Sequence, residues 1–193
     1  MSASTAVAML RGVTMLVAAA ALTALAAPSW TVADLMQGLA ARGPEHARFV
    51  EKKFMAILDQ PVQSSGELRY VPPDRLEKRT LLPKPELLVL ERGLLTLERD
   101  QQKHTLRLAD YPQVAAIVDS LRGMLAGDRT ALEKVYRLEL HGTREQWSLV
   151  MLPSDQKLAG LVLRIDVAGN GNRVRSIEIR QADGDRSVMT IEP

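Results

Sequence analysis

The chain contains no cysteine. Disulfides are therefore excluded, and so is a lipid-modified cysteine at a mature N-terminus. Aromatic residues are only 4% of the 193 positions. That is too few for the two interfacial girdles of an outer-membrane barrel. Charge of one sign is lacking too: the net charge is +2, with lysine and arginine scattered rather than blocked. Such a surface gives no reason to expect a nucleic-acid partner. Histidine is scarce, and His46, His104 and His141 stand far apart without metal-ligand spacing. There is no nucleophile elbow, P-loop or dinucleotide fingerprint. Gly169-Asn170-Gly171-Asn172 is glycine-rich but lies between two strand patterns, so it reads as a hairpin turn. No metal, no cofactor and no enzymatic activity are expected.

Long hydrophobic runs are also missing, with one exception at the N-terminus. Arg11 precedes the apolar run Val13–Leu25, and Ala24-Leu25-Ala26 supplies small residues at its end. This is the pattern of a secretory signal peptide over residues 1–26, cleaved after Ala26. The run is short of the ~20 residues that a membrane span needs. Residues 27–193 then form a single domain, with no linker, repeat or low-complexity segment. Export without cysteine or a later apolar span predicts a periplasmic protein of a Gram-negative bacterium, not stably inserted in a membrane. A monomer is expected.

What the chain does have is short alternating apolar segments separated by turn residues. The pattern predicts about ten strands, mostly antiparallel neighbours because the connections are short. Thr31 caps a leading helix with the stripe Val32, Leu35, Met36 and Leu39, ended by Gly43-Pro44. A strand over roughly 47–58 lacks clean alternation, which predicts a bulge or bend. Further strands are expected over 64–71, 75–81, 86–91, 94–98 and 104–108. After 135, segments around Leu138, Leu149, Ile165 and Ile177 alternate with polar residues, and 186–192 closes the chain. Leu161, Leu163, Ile165 and Val167 are read as sharing one face, and Pro153-Ser154-Asp155 as a turn.

The element that organises this pattern is Asp110–Gly127. Val114, Ile117, Val118, Leu121 and Leu125 recur at the helical period. Asp110 and Gln113 make an N-terminal capping pair, and Gly127 is a natural stop. A helical stripe in the middle of a β-rich chain must bury against the strands. The fold class expected is mainly β with helices (α+β): a curved antiparallel sheet with this helix as a lid on its concave face. Such a sheet has a hollow to fill.

Several segments resemble the LolA-type periplasmic carriers of outer-membrane lipoproteins. Phe49-Val50-Glu51 stands in the place of the family's F-x-Q segment. Gly66-Glu67-Leu68 followed by Pro72-Pro73 is similar to its G-x-L…R-P segment. Pro83 and Pro85 sit at the next proline, and Gly93 at the hairpin that carries an Asp-Gly turn. Leu125-Ala126-Gly127-Asp128 resembles the L-x-G-D ending of the middle helix. Trp147-Ser148-Leu149 through Pro153 resembles a strand that ends in proline. One position departs: Pro72 stands where family carriers place an arginine that hydrogen-bonds the lid and holds it closed.

The resemblance implies an unclosed barrel of about eleven strands, roofed by helices, whose hollow receives acyl chains. The expected function is a divergent LolA-like carrier that shields the acyl chains of a lipoprotein or other acylated envelope lipid. It would take its cargo from an inner-membrane donor and pass it to an outer-membrane acceptor. The alternative from another class is a non-enzymatic sensor or scaffold that binds envelope lipoproteins. The candidate lining residues are Leu68, Tyr70, Leu138, Leu140, Trp147, Leu149, Leu163, Ile165, Ile177 and Ile179 from the sheet. Val114, Val118 and Leu121 are the candidates from the lid.

Overall fold

The computed structural model describes residues 30–154 and 156–192, Gln113 only by its backbone. The expected signal peptide and Asp155 lie outside them. Helix α1, Val32–Ala40, starts at a capping box. The Thr31 hydroxyl accepts the Asp34 N–H at 3.2 Å, and the Asp34 carboxylate accepts the Thr31 N–H at 2.9 Å. Its stripe Leu35, Met36 and Leu39 is buried.

Six strands follow as a meander: β1 Glu45–Phe54, β2 Val62–Val71, β3 Arg75–Leu82, β4 Glu86–Glu91, β5 Leu94–Arg99 and β6 Gln102–Arg107. A single 3-10 turn leads into α2, Pro112–Leu125, and a short α3, Arg129–Glu133. Then come β7 Tyr136–Gly142, β8 Trp147–Pro153, a short α4 Gln156–Ala159, β9 Val162–Asn170, β10 Arg173–Gln181 and β11 Arg186–Glu192. The turn expected after Pro153 thus becomes α4, which buries Leu158.

All eleven strands form one antiparallel sheet in the order β6-β5-β4-β3-β2-β1-β11-β10-β9-β8-β7. The last strand closes onto the first, as the register Phe49↔Ile191 and Lys52↔Val188 shows. The two edges, β6 and β7, do not pair, so the barrel is unclosed. Three bulges help bend it. Leu81, Leu163 and Arg175 are the extra residues in the pairings β2–β3, β9–β10 and β10–β9.

No bulge lies in β1, contrary to the reading of its pattern. Its pairings with β2 and β11 run without a shift. Its burial alternates from Glu45 to Lys52, with Phe49 and Glu51 inside and Arg48, Val50 and Lys52 outside. The alternation was hidden because an inward position carries a carboxylate. Glu51 is buried against Lys78 of β3 and accepts the Ser187 hydroxyl of β11 at 2.6 Å.

Burial alone pushes the Glu51 carboxyl up, but the bonds from Lys78 and Ser187 outweigh it and hold it below its ordinary value of 4.5. A carboxyl lowered in the fold stabilises above that ordinary value, and the gain is lost as pH falls through the folded value. The urea midpoint should therefore stay flat from neutral pH to about pH 5 and then decline. In Glu51→Gln that acid-side decline should shrink; an unchanged profile would show that Glu51 carries none of it.

Helix α2 starts at Pro112 with Tyr111 as its N-cap and no side-chain capping bond, so the Asp110 cap is not formed. It ends in a Schellman motif: Asp128 N–H to Gly123 O at 2.8 Å and Gly127 N–H to Met124 O at 3.1 Å. Gly127 has φ +67°, and a Cβ there would stand 2.2 Å from Met36 O of α1. Only glycine lets the end of α2 tuck under α1.

Candidate functional site

The site is the space between α2 and the concave face of the sheet. Helix α2 rests on two apolar clusters. Ala116, Ile117, Leu121 and Leu125 pack toward the main core around Leu149, Met151 and Ile165. Ala115 and Val118 pack toward a smaller cluster of Leu90, Leu95 and Leu108. Between the two clusters a hollow of about 230 Å³ remains. Its roof is Val118, Leu121 and Leu125 of α2. Its floor runs across β2 to β5 on one side and β10 and β11 on the other.

The thirteen candidate residues divide three ways. Leu68, Tyr70, Ile177, Val118 and Leu121 line the hollow. Leu138, Leu140, Trp147, Leu149, Ile165 and Ile179 belong to the packed core or lie against it. Leu163 and Val114 do neither. Leu163 is the bulge residue of β9, turned outward and 54% exposed, while Val162 takes the inward place. The shared face read for Leu161 to Val167 is broken there by this reset of parity. Val114 lies in the first turn of α2 and is also exposed. The helix turns Ser120, Gly123 and Met124 inward instead.

Sequence reasoning missed most of the lining. Leu76, Leu88, Leu90 and Leu95 face the hollow from β3, β4 and β5, and Met189 and Ile191 from β11. These strands are apolar at both parities, as in Glu86–Glu91 and Arg186–Glu192. Alternation cannot say which row points in. It also missed the inner contacts of α2. The Ser120 hydroxyl lies 2.6 Å from the Tyr136 hydroxyl, and Gly123 faces Leu132 of α3. Small residues at those positions are the signal that could have found them.

The hollow has one buried cation at its lid end. Arg42, just past α1, is 8% exposed. It donates to Glu45 Oε2 at 2.8 Å, to Leu39 O at 3.4 Å and to Leu125 O at 3.3 Å. Its guanidinium also sits 5.9 Å from the Tyr70 ring centroid. Leu125 O is a free carbonyl of the last turn of α2, where a cation is favoured. Arg42 thus ties lid, leading helix and sheet together, from another element than the one where Pro72 stands. Burial pushes the Tyr70 hydroxyl up, so it stays protonated beside that cation.

Arg42→Met should free the C-terminal turn of α2. Amides 124–128 are expected to exchange roughly tenfold faster or more, with about 2 kcal/mol of stability lost. Unchanged exchange there would show that Arg42 does not hold the lid.

A second, larger groove of about 1280 Å³ opens between α2, α3, α4 and the turn at Pro73-Asp74. It is open to solvent, and Asp74, Asp119, Arg122, Asp128 and Lys157 line it. The smaller hollow is the better candidate, because aliphatic walls enclose it on two sides. His46, His104 and His141 are all exposed. Among the described residues no group of three or more His, Asp or Glu could hold a metal ion.

Similarity to known proteins bears on this geometry. The profile of a family described as outer membrane lipoprotein carrier protein LolA-like matches residues 4–191. No curated protein matches the sequence. Among solved structures, a LolA superfamily protein from Nitrosomonas europaea is 10% identical, over 86% of this chain and 93% of that one, with a TM-score of 0.47. A putative outer membrane lipoprotein-sorting protein domain from Vibrio parahaemolyticus is 11% identical, over 84% and 89%, with a TM-score of 0.44. The MucA/MucB complex of Pseudomonas aeruginosa matches at 14% identity, over 83% of this chain and 55% of that one, with a TM-score of 0.46. These distant structural likenesses carry no functional weight. The family match spans nearly the whole sequence, and on that ground the chain belongs to the LolA-like outer membrane lipoprotein carrier family.

Proposed function

We propose that this protein is a periplasmic carrier that covers acyl chains of a lipoprotein or another acylated envelope lipid. It would receive them from an inner-membrane donor and release them to an outer-membrane acceptor, after export by residues 1–26. The observation that carries this reading is the aliphatic hollow under α2, together with membership of a carrier family. Each CH₂ exposed to water costs roughly 0.8 kcal/mol, so a ~16-carbon tail left bare costs on the order of 12 kcal/mol. An aliphatic hollow covers a tail without fixed hydrogen bonds, so the tail can leave again.

The size of the hollow adds a condition. An apolar cavity of about 150 Å³ accepts benzene, so 230 Å³ takes roughly nine carbons. A full tail requires α2 to swing away from the smaller cluster of Leu90, Leu95 and Leu108. The lid would thus open on loading, and the bonds of Arg42 would be what opening breaks.

The test is native mass spectrometry of the exported protein with a palmitoylated lipopeptide. A one-to-one complex that survives in water and yields to a competing fatty acid is expected. A protein that stays empty, yet binds an intact lipoprotein through its protein part, would overturn the carrier and leave a sensor or scaffold.

A further inference from the structure

The hollow ends abruptly along the strands. On four neighbouring strands its lining stops at one row: Ala47 on β1, Leu68 on β2, Lys78 on β3 and Leu88 on β4. The register sets them side by side, since Ala47 pairs with Leu68, Leu68 with Lys78 and Lys78 with Leu88. The next inward row, away from Arg42, is Phe49, Gly66, Thr80 and Glu86. It holds no aliphatic side chain and lines no part of the hollow.

Lys78 makes this boundary firm. Its ammonium is bound to the buried carboxylate of Glu51, which lies two rows beyond Ala47 on β1. Gly66 stands midway on β2 and has no side chain in the path. Glu51 also accepts the Ser187 hydroxyl at 2.6 Å and the Ser64 hydroxyl at 3.5 Å. Lys78 Nζ lies 5.0 Å from the centroid of the Phe49 ring. Residues of β1, β2, β3 and β11 thus hold one ion pair across the inside of the barrel. A methionine wall can shift rotamers to admit a methyl group. Parting this pair instead strands a buried charge.

We infer that the Glu51–Lys78 pair is the end stop of the acyl site and fixes how deep a tail can enter. This stop presupposes the carrier reading and adds chain-length discrimination to it. A tail that reaches the pair goes no deeper, so each further CH₂ presses on α2. The closed hollow takes roughly nine carbons, and the lid should begin to yield at about that length. An anionic head seated on Lys78 fits less well, because Glu51 already balances its charge.

A series of singly acylated lipopeptides, from about six to about sixteen carbons, tests this on the full exported protein. Affinity is read at each length, together with exchange of amides 124–128. In wild type each CH₂ should tighten binding roughly fourfold up to about nine carbons and clearly less beyond. Exchange at the lid should rise at the same length. Lys78→Ala/Glu51→Leu removes the stop and leaves no unpaired charge. Its break should move about three carbons longer in both readouts, so that a ~12-carbon tail binds at least about tenfold tighter than to wild type. Lys78→Met/Glu51→Gln keeps the bulk and an acceptor for Ser187, and serves if the first pair of changes lowers the thermal melt. Its flexible, uncharged wall should move the break the same way. A break at the same length in the folded variants would overturn the stop while leaving the carrier. Weaker binding at every length with the break unmoved would also overturn it, and would place the cargo's head on Lys78. Wild type that binds no acyl chain of any length would overturn the carrier reading and the stop together.

Discussion

Leu121→Glu is expected to abolish retention of a bound acyl chain while leaving α2 helical. Leu121 sits in the roof of the hollow between Val118 and Leu125, about one turn from each. Glutamate is as good a helix former as leucine, so the effect falls on the face and not on the helix. The new carboxylate would enter a space whose nearby cations are already engaged, Arg42 with Glu45 and Lys78 with Glu51. An unpaired charge there costs several kcal/mol, which α2 avoids by lifting or by admitting water. Either outcome exposes the tail. Affinity for a palmitoylated lipopeptide should drop by about a hundredfold or more, while Leu121→Met stays close to wild type. Equal lipid load on the glutamate variant, read by native mass spectrometry, would sink the hollow as the cargo site.

Trp147→Ala should be the most damaging single change to stability. The indole is 2% exposed and lies in the main core. Its cross-strand partner on β9 is Gly169, and the ring occupies the space that a side chain would fill. A Cβ on Gly169 would come within 2.4 Å of the ring and 2.1 Å of Arg173 O. Indole Nε1–H also donates to Gly171 O at 2.9 Å, tying β8 to the β9–β10 turn. Truncation removes buried area and leaves a cavity, about 3–5 kcal/mol in all. In a domain of this size that lowers the melting midpoint by roughly 10 °C. A loss under about 1 kcal/mol in urea titration would contradict the core placement. Trp147→Ala/Gly169→Ala should be non-additive, because removing the ring relieves one of the two clashes of the new methyl group.

Both predictions turn on residues that the sequence placed in one group, as cargo contacts. Leu121 faces the hollow, whereas Trp147 is solid core. Apolar alternation separates inside from outside but not lining from filling, because both sit on the same face of the sheet. The difference depends on what stands opposite. Gly169 lets the indole lie flat against β9, while Leu68 and Ile177 meet the lid helix across a gap.

Most local signals were read well, the unformed Asp110 cap and the turn before α4 excepted. The Thr31 cap, the stripe of α1, the glycine stop at Gly127 and most strand ends follow from neighbours a few residues away. The Gly127 stop even carries the contact to α1, since its positive φ and its lack of a Cβ serve both ends. Reading failed where a partner far along the chain sets the outcome. Glu51 is inside because Lys78 and Ser187 meet it from two other strands, and a carboxylate in a strand otherwise reads as surface. Leu163 is outside because β10 has one residue fewer at that point.

The sequence by itself determined a chain without covalent staples, a meander of short strands, one amphipathic helix to cover them, and the family it belongs to. Those properties rest on spacing and turn chemistry, which act over a handful of residues. Only the tertiary structure decided which leucines border empty space, that β4, β5 and β11 also line it, and that Arg42 ties down the lid. Register, bulges and the depth of a gap are set by pairs of elements, from neighbouring strands to β1 and β11 more than a hundred residues apart, and periodicity within either element carries no trace of the other.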